Sequence, residues 1–121
     1  MLALASMISP SKAKRDLITL GHPDAWRGCV RLMEWEGDSM EPSLRRGDLV
    51  FLDTSDRLPS PPGIFAWHNG FGEVLNRLEL VPDTSPPLVR ISSDNARYPN
   101  TYMLPLGDLK IIGRYRCRIT A

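Results

Sequence analysis

Cysteine is scarce in this chain: Cys29 and Cys117 are the only two in 121 residues. They stand far apart, outside any CxxC pair, so a disulfide-stapled scaffold is not expected and two small packed thiols are. Histidine is equally sparse. His22 and His68 have no partner at ligand spacing, and neither a metal site nor a cofactor is predicted. An excess of charge of either sign is also lacking. Fifteen basic residues against fourteen acidic leave a formal +1, which gives no general pull toward a phosphate backbone. No apolar run reaches the roughly 18 to 20 residues that cross a bilayer, and residues 1–5 lack a basic leader start. A soluble, cytoplasmic protein without a membrane partner is expected. Lysine is confined to Lys12, Lys14 and Lys110.

What is present suits one compact core. The length and the 42% hydrophobic content are enough for a single domain and too little for two. In residues 9–20, Ser9 or Ser11 can cap a helix, Pro10 suits its first turn, and Leu17, Ile18 and Leu20 are available for burial. Gly21 and Pro23 then end it. A short helix within an N-terminal segment of residues 1–29 is predicted. From residue 30 onward the pattern changes to short runs of strand character at 30–36, 49–53, 64–68, 74–81, 88–92 and 111–119. Turn residues such as Arg46-Gly47-Asp48, Pro61-Pro62-Gly63 and His68-Asn69-Gly70 separate them. The fold expected for 30–121 is mainly β, a twisted and partly closed antiparallel structure. The last run, 111–119, is apolar and basic and is expected to form an edge or a dimer surface. Trp35 shares a run with Met33, which predicts burial. Trp67 beside His68-Asn69-Gly70 falls close to a hairpin tip, where an exposed ring would mark a contact surface.

One segment carries chemistry. Gly37-Asp38-Ser39-Met40-Glu41-Pro42-Ser43-Leu44 sits between two strand runs. If residues 40–44 form a single helical turn, Ser39 lies at its start, where free backbone N–H groups can stabilise an oxyanion. Ser39 as a nucleophile, with the backbone N–H of Met40 as oxyanion donor, is one reading; Ser39 as a simple turn cap is the other. Asp94-Asn95 reads as an Asx turn.

The same segment, followed by Arg45-Arg46-Gly47-Asp48-Leu49-Val50-Phe51-Leu52-Asp53, closely resembles the nucleophile region of the LexA, UmuD and phage-repressor peptidase family. The resemblance continues in order through Pro61-Pro62-Gly63-Ile64-Phe65, Gly72-Glu73-Val74-Leu75-Asn76-Arg77-Leu78, Arg90-Ile91-Ser92-Ser93-Asp94-Asn95 and Ile111-Ile112-Gly113-Arg114. Within it, Asp94-Asn95 resembles the family's Ser-Asp-Asn turn near the active-site region, where side-chain hydrogen bonds can shape a loop. Type I signal peptidases share the serine-methionine pair and the fold. The family resemblance implies a LexA/signal-peptidase type fold, a serine activated by a lysine from a neighbouring strand, and a homodimer that pairs attached helix-turn-helix domains in repressors of SOS or prophage type. DNA contact would come only through such an attached or partner domain, whose pattern does not occur in these 121 residues. A regulatory protein partner is a further expectation.

Two departures stand out. Where the family has lysine in a Val-Lys-Arg-Leu context, this chain reads Leu75-Asn76-Arg77-Leu78. A serine hydroxyl needs a neutral amine to take its proton, and an amide cannot act as that base. Arg77 stays protonated, and as the next residue along a strand it should point to the opposite face. The Ala-Gly or Cys-Gly bond that self-cleaving members cut is also missing. The expectation is therefore a regulatory, catalytically silent domain. An active Ser/Lys self-cleaving peptidase, and an autopeptidase trapped by an introduced lysine-to-asparagine change at residue 76, are the alternatives.

Overall fold

The computed structural model describes residues 30–120. The helix expected before residue 21, together with His22, Trp26 and Cys29, lies outside them. The described chain forms seven strands: β1 Val30–Glu34, β2 Leu49–Asp53, β3 Gly63–His68, β4 Glu73–Val81, β5 Leu88–Ser92, β6 Tyr102–Pro105 and β7 Lys110–Ile119. All neighbours pair antiparallel in one sheet of order β1-β2-β7-β3-β4-β5-β6. This is the mainly β architecture that the turn spacing predicts, with one strand more. Only four residues long and ending on a proline, β6 carries no clear alternation.

The position of the last strand corrects an expectation. β7 is not an edge but lies between β2 and β3. Its first half, from Lys110, pairs with β3, and its second half, to Ile119, pairs with β2. Ten residues of extended chain are long enough to serve both neighbours in succession. A register shift interrupts each ladder, at Phe51/Leu52 and at Ala66/Trp67, and such bulges sharpen the local bend. Gly113 sits at this bend. A Cβ there would lie 2.6 Å from the backbone oxygen of Asp53, so only glycine lets the two backbones approach.

The bend curls the sheet without closing it. Arg31 on β1 reaches Glu73 at the start of β4, with a closest contact of 2.6 Å, although three strands separate them in the sheet order. Inside the curl lies one core: Val50 and Leu52 of β2, Ile64 and Ala66 of β3 and Leu75 of β4, together with Trp35, Met40 and Leu44 from the β1–β2 connection. A second core of Phe65, Trp67, Leu78, Val89 and Ile91 occupies the other face of β3, β4 and β5. Strand alternation explains the division, since Ile64 and Ala66 face one way and Phe65 and Trp67 the other. Each fully buried large side chain contributes about 1.5 to 3 kcal/mol relative to exposure.

Arg114 is the one buried arginine among the described residues. Its Nε donates to Asp56 at 2.7 Å, its Nη2 donates to the carbonyls of Leu58 and Pro61, and its guanidinium lies 4.4 Å from the Phe65 ring centroid. The β2–β3 connection is thereby fastened to β7. Trp35 is buried as expected, and Trp67 is buried too, at 4% exposure. The aromatic side chain at the hairpin tip is Phe71, 98% exposed.

Candidate active site

Ser39 opens a tight turn that spans 39–43. The Leu44 N–H donates to the Met40 carbonyl at 2.9 Å, and the Glu41 N–H to the Asp38 carbonyl at 3.2 Å. The segment is a hydrogen-bonded turn, in place of the single helical turn expected. Met40, the next residue, is fully buried in the inner core, which anchors the turn from below. Just upstream, a Cβ on Gly37 would come within 2.5 Å of the Trp35 ring, so the backbone crosses that indole only because residue 37 is glycine. Ser39 itself is half-buried. Its hydroxyl forms no hydrogen bond to any described residue, and neither does the Met40 N–H.

A second segment, 92–98, clasps this turn. The Asn95 N–H donates to the Ser39 carbonyl at 3.0 Å and the Asn95 side-chain amide to the Asp38 carbonyl at 2.8 Å. The Tyr98 hydroxyl donates to Asp38 Oδ1 at 2.9 Å, and the Ser43 hydroxyl to Asp94 Oδ2 at 2.6 Å. Arg77 then grips Asp94 with two bonds of 2.8 Å. The Arg77 guanidinium, helped by the Ser43 hydroxyl and opposed by burial, holds the Asp94 carboxyl below its ordinary range. Beside Asp38, the Tyr98 hydroxyl holds its proton to higher pH than an ordinary tyrosine. On the turn's other flank Asp48, 1% exposed, takes the Arg45 N–H at 2.9 Å and Arg118 Nη1 at 3.0 Å, and Arg118 also bonds the Ser43 carbonyl.

Asn76 lies on β4 opposite Phe65 of β3. Its Oδ1 accepts the Trp67 indole N–H at 3.0 Å, and its Nδ2 donates to the Ser92 carbonyl and to Ser93 Oγ, both at 3.2 Å. Both amide protons are thus engaged. Arg77 turns the other way, to Asp94, as strand alternation predicts. Among the described residues no hydrogen bond joins Asn76 to Ser39. The two are connected through the 92–95 segment, which holds Asn76 at one end and the Ser39 turn at the other. Lys110 opens β7 opposite His68 at the end of β3. Lys12 and Lys14 lie outside the described residues.

The sequence offers two readings of Asp94-Asn95, a plain Asx turn and the family's turn near the active site. The turn exists, since the Arg97 N–H donates to Asn95 Oδ1 at 3.0 Å, but both residues also hold the Ser39 turn. Tyr98, Ser43 and Asp38 were not singled out, because their partners lie 51 to 60 residues away. The described residues contain no group of three or more His, Cys, Asp or Glu side chains placed to hold a metal, and no helix long and apolar enough to cross a membrane.

Neither the curated proteins nor the solved structures give a significant match to the chain. The sequence model of the Peptidase S24-like family matches residues 12–116. With most of its length matched, this chain belongs to the Peptidase S24-like family.

Proposed function

We propose that this chain is the regulatory C-terminal domain of a LexA-like or prophage-type repressor, catalytically silent, which pairs with a second copy and so brings attached DNA-binding domains together. The observation that carries this reading is the state of residue 76. At the position where the resemblance expects a lysine, an amide accepts the Trp67 indole N–H and donates to Ser92 and Ser93. An amide with these commitments has no basic lone pair to take the Ser39 proton. Pairing gives such a domain its use. Two weak half-site binders gain effective concentration once linked, so operator occupancy is controlled without this domain touching DNA. Regulation in the cytoplasm, by a damage or prophage signal, follows from the same reading.

The clasped Ser39 turn favours one other reading, an autopeptidase disarmed only by a lysine-to-asparagine change at residue 76. One experiment addresses both. The chain is fused to an upstream Ala-Gly segment and incubated across a pH series on gels, as Asn76, as Asn76→Lys, and each also with Ser39→Ala. No cleavage by the Asn76 chain at any pH is the expected result, because raising the pH helps only a titratable amine. Ser39-dependent cleavage by it overturns the silent reading. Cutting gained by Asn76→Lys, on the order of 10⁴-fold above the Asn76 chain, identifies a site intact but for its base. No gain identifies a scaffold alone.

A further inference from the structure

A third apolar cluster stands on the side of β2 that faces away from the Ser39 turn. Met40 and Leu44 pack with Val50 and Leu52, so Leu49 and Phe51 point the other way. There Val30, Leu32 and Cys117 gather around them. The ladders set these side chains in rows: Leu32, Phe51 and Cys117 form one, and Glu34, Leu49 and Ile119 the next. All belong to β1, β2 and β7, the end of the sheet where the described chain begins.

The cluster is drier than its own members can make it. Phe51 is 2% exposed and Leu49 6%, yet among the described residues the apolar side chains packed on them are the three partly buried ones on the flanking strands. Neighbours within a sheet screen the flanks of a side chain that stands upright on it. Excluding water from its tip takes a layer above. Charge is uncompensated at one rim. Partial desolvation, then the Glu36 carboxyl beside it, hold the Glu34 carboxyl above its ordinary range, and neither glutamate is in an ion pair among the described residues.

The sequence upstream has the complement. In residues 12–20, Ala13, Leu17 and Leu20 recur at the helical spacing i, i+4 and i+7, Lys12 and Lys14 flank that stripe, and Arg15 falls opposite it. Nine helical residues are about 13 Å long and five residues of strand about 17 Å, so stripe and face agree in length. The link from Leu20 to Val30 reaches up to about 33 Å, ample for a reversal into β1. The family match also reaches back to residue 12. We propose that residues 12–20 dock as an amphipathic helix on the outer face of β1, β2 and β7, antiparallel to β1, with Ala13, Leu17 and Leu20 over Leu49 and Phe51. Its basic first turn then lies over Glu34 and Glu36, where carboxylates also favour a helix N-terminus. The cover uses neither residue 76 nor pairing between copies.

The test uses the full chain with Cys29→Ser, which leaves Cys117, a member of the face, as the single thiol. Ala13→Cys, Leu17→Cys and Leu20→Cys are each oxidised mildly and compared with Arg15→Cys on non-reducing gels. The fastest stripe variant should close a disulfide to Cys117 at monomer mass about tenfold sooner than Arg15→Cys, because a docked helix holds one face within reach and turns the other away. Equal rates overturn the docking. So does a covalent dimer as the main product, which makes a second copy the occupant. Labelling of Cys117 by a thiol reagent gives a second readout: Leu17→Asp should speed it about tenfold, and Glu34→Lys with Glu36→Lys about fivefold. Adding Lys12→Glu and Lys14→Glu to the glutamate pair should slow labelling again, a rescue that a general loss of folding cannot produce. Unchanged labelling in Leu17→Asp overturns the cover.

Discussion

Replacing Asn76 by lysine should destabilise the domain through a residue that is never mutated. The Trp67 side chain is 4% exposed, and among the described residues its only indole partner is Asn76 Oδ1 at 3.0 Å. A lysine ammonium can donate to the Ser92 carbonyl and Ser93 Oγ in place of Nδ2, but it cannot accept. The indole N–H is then left buried without a partner, which costs about 1 to 3 kcal/mol, and the half-buried amine adds a desolvation penalty that lowers its pKa. Trp67→Phe removes the orphaned donor. In the wild-type background that change sacrifices a satisfied hydrogen bond and some packing; in the Asn76→Lys background it also relieves an unsatisfied group. The two substitutions should therefore couple by about 1 to 3 kcal/mol in a double-mutant cycle, with the double variant more stable than additivity allows. Urea unfolding followed by far-ultraviolet circular dichroism resolves this. With a slope of about 2 kcal/mol per molar, a 2 kcal/mol effect moves the midpoint by about 1 M. Additive changes, or an Asn76→Lys midpoint equal to wild type, would refute the reasoning.

Three further outcomes are expected. Met40→Ala should cost about 2 to 5 kcal/mol, because the side chain is fully buried beneath the Ser39 turn and its removal opens a cavity; thermal unfolding measures it. Asp94 has a folded pKa below its ordinary value of 3.8, so its contribution to stability is complete above that value and fades as the pH falls through the lower folded pKa. Acid titration of Asp94→Asn should accordingly show a shallower loss of stability below about pH 4 than wild type, and an identical acid limb would remove Asp94 as a latch. Gly113→Ala forces a methyl group to within 2.6 Å of the Asp53 carbonyl oxygen. Overpacking of this kind costs about 1 to 3 kcal/mol, and a midpoint equal to wild type would show that β2 and β7 can part.

Much of the architecture was open to reading because it is encoded locally. Alternating Ile64, Phe65, Ala66 and Trp67 mark a strand buried on both faces, and the Gly-, Pro- and Asn-rich turns mark where each strand stops. The Ser39 turn was recognisable for the same reason, as eight contiguous residues. Pairing order was not legible. Nothing in residues 110–119 says that one half will meet β3 and the other β2, since that depends on bulges and on a glycine whose necessity appears only when Asp53 is placed against it. The clasp around Ser39 was hidden likewise. Asp94 and Asn95 hydrogen-bond locally in any turn, and only the folded chain reveals that the same atoms reach Ser43 and the Ser39 carbonyl. Phe71, in a Gly-rich turn, gave no periodic signal at all.

The placement of β7 bears on how the molecule is made. Both cores draw on it, Ile112 and Tyr115 packing into one and Ile111 into the other, and it supplies the shared seam between β2 and β3. A nascent chain exposing residues 30–105 therefore has a β1–β2 hairpin and a four-stranded β3–β6 piece with no strand between them, and two unfinished apolar faces. Pairings this distant in sequence carry a loop-closure cost before any reward. The domain should thus assemble late and all at once, as residues 110–119 leave the ribosome, and a truncation before Lys110 should produce an aggregating fragment instead of a smaller folded one.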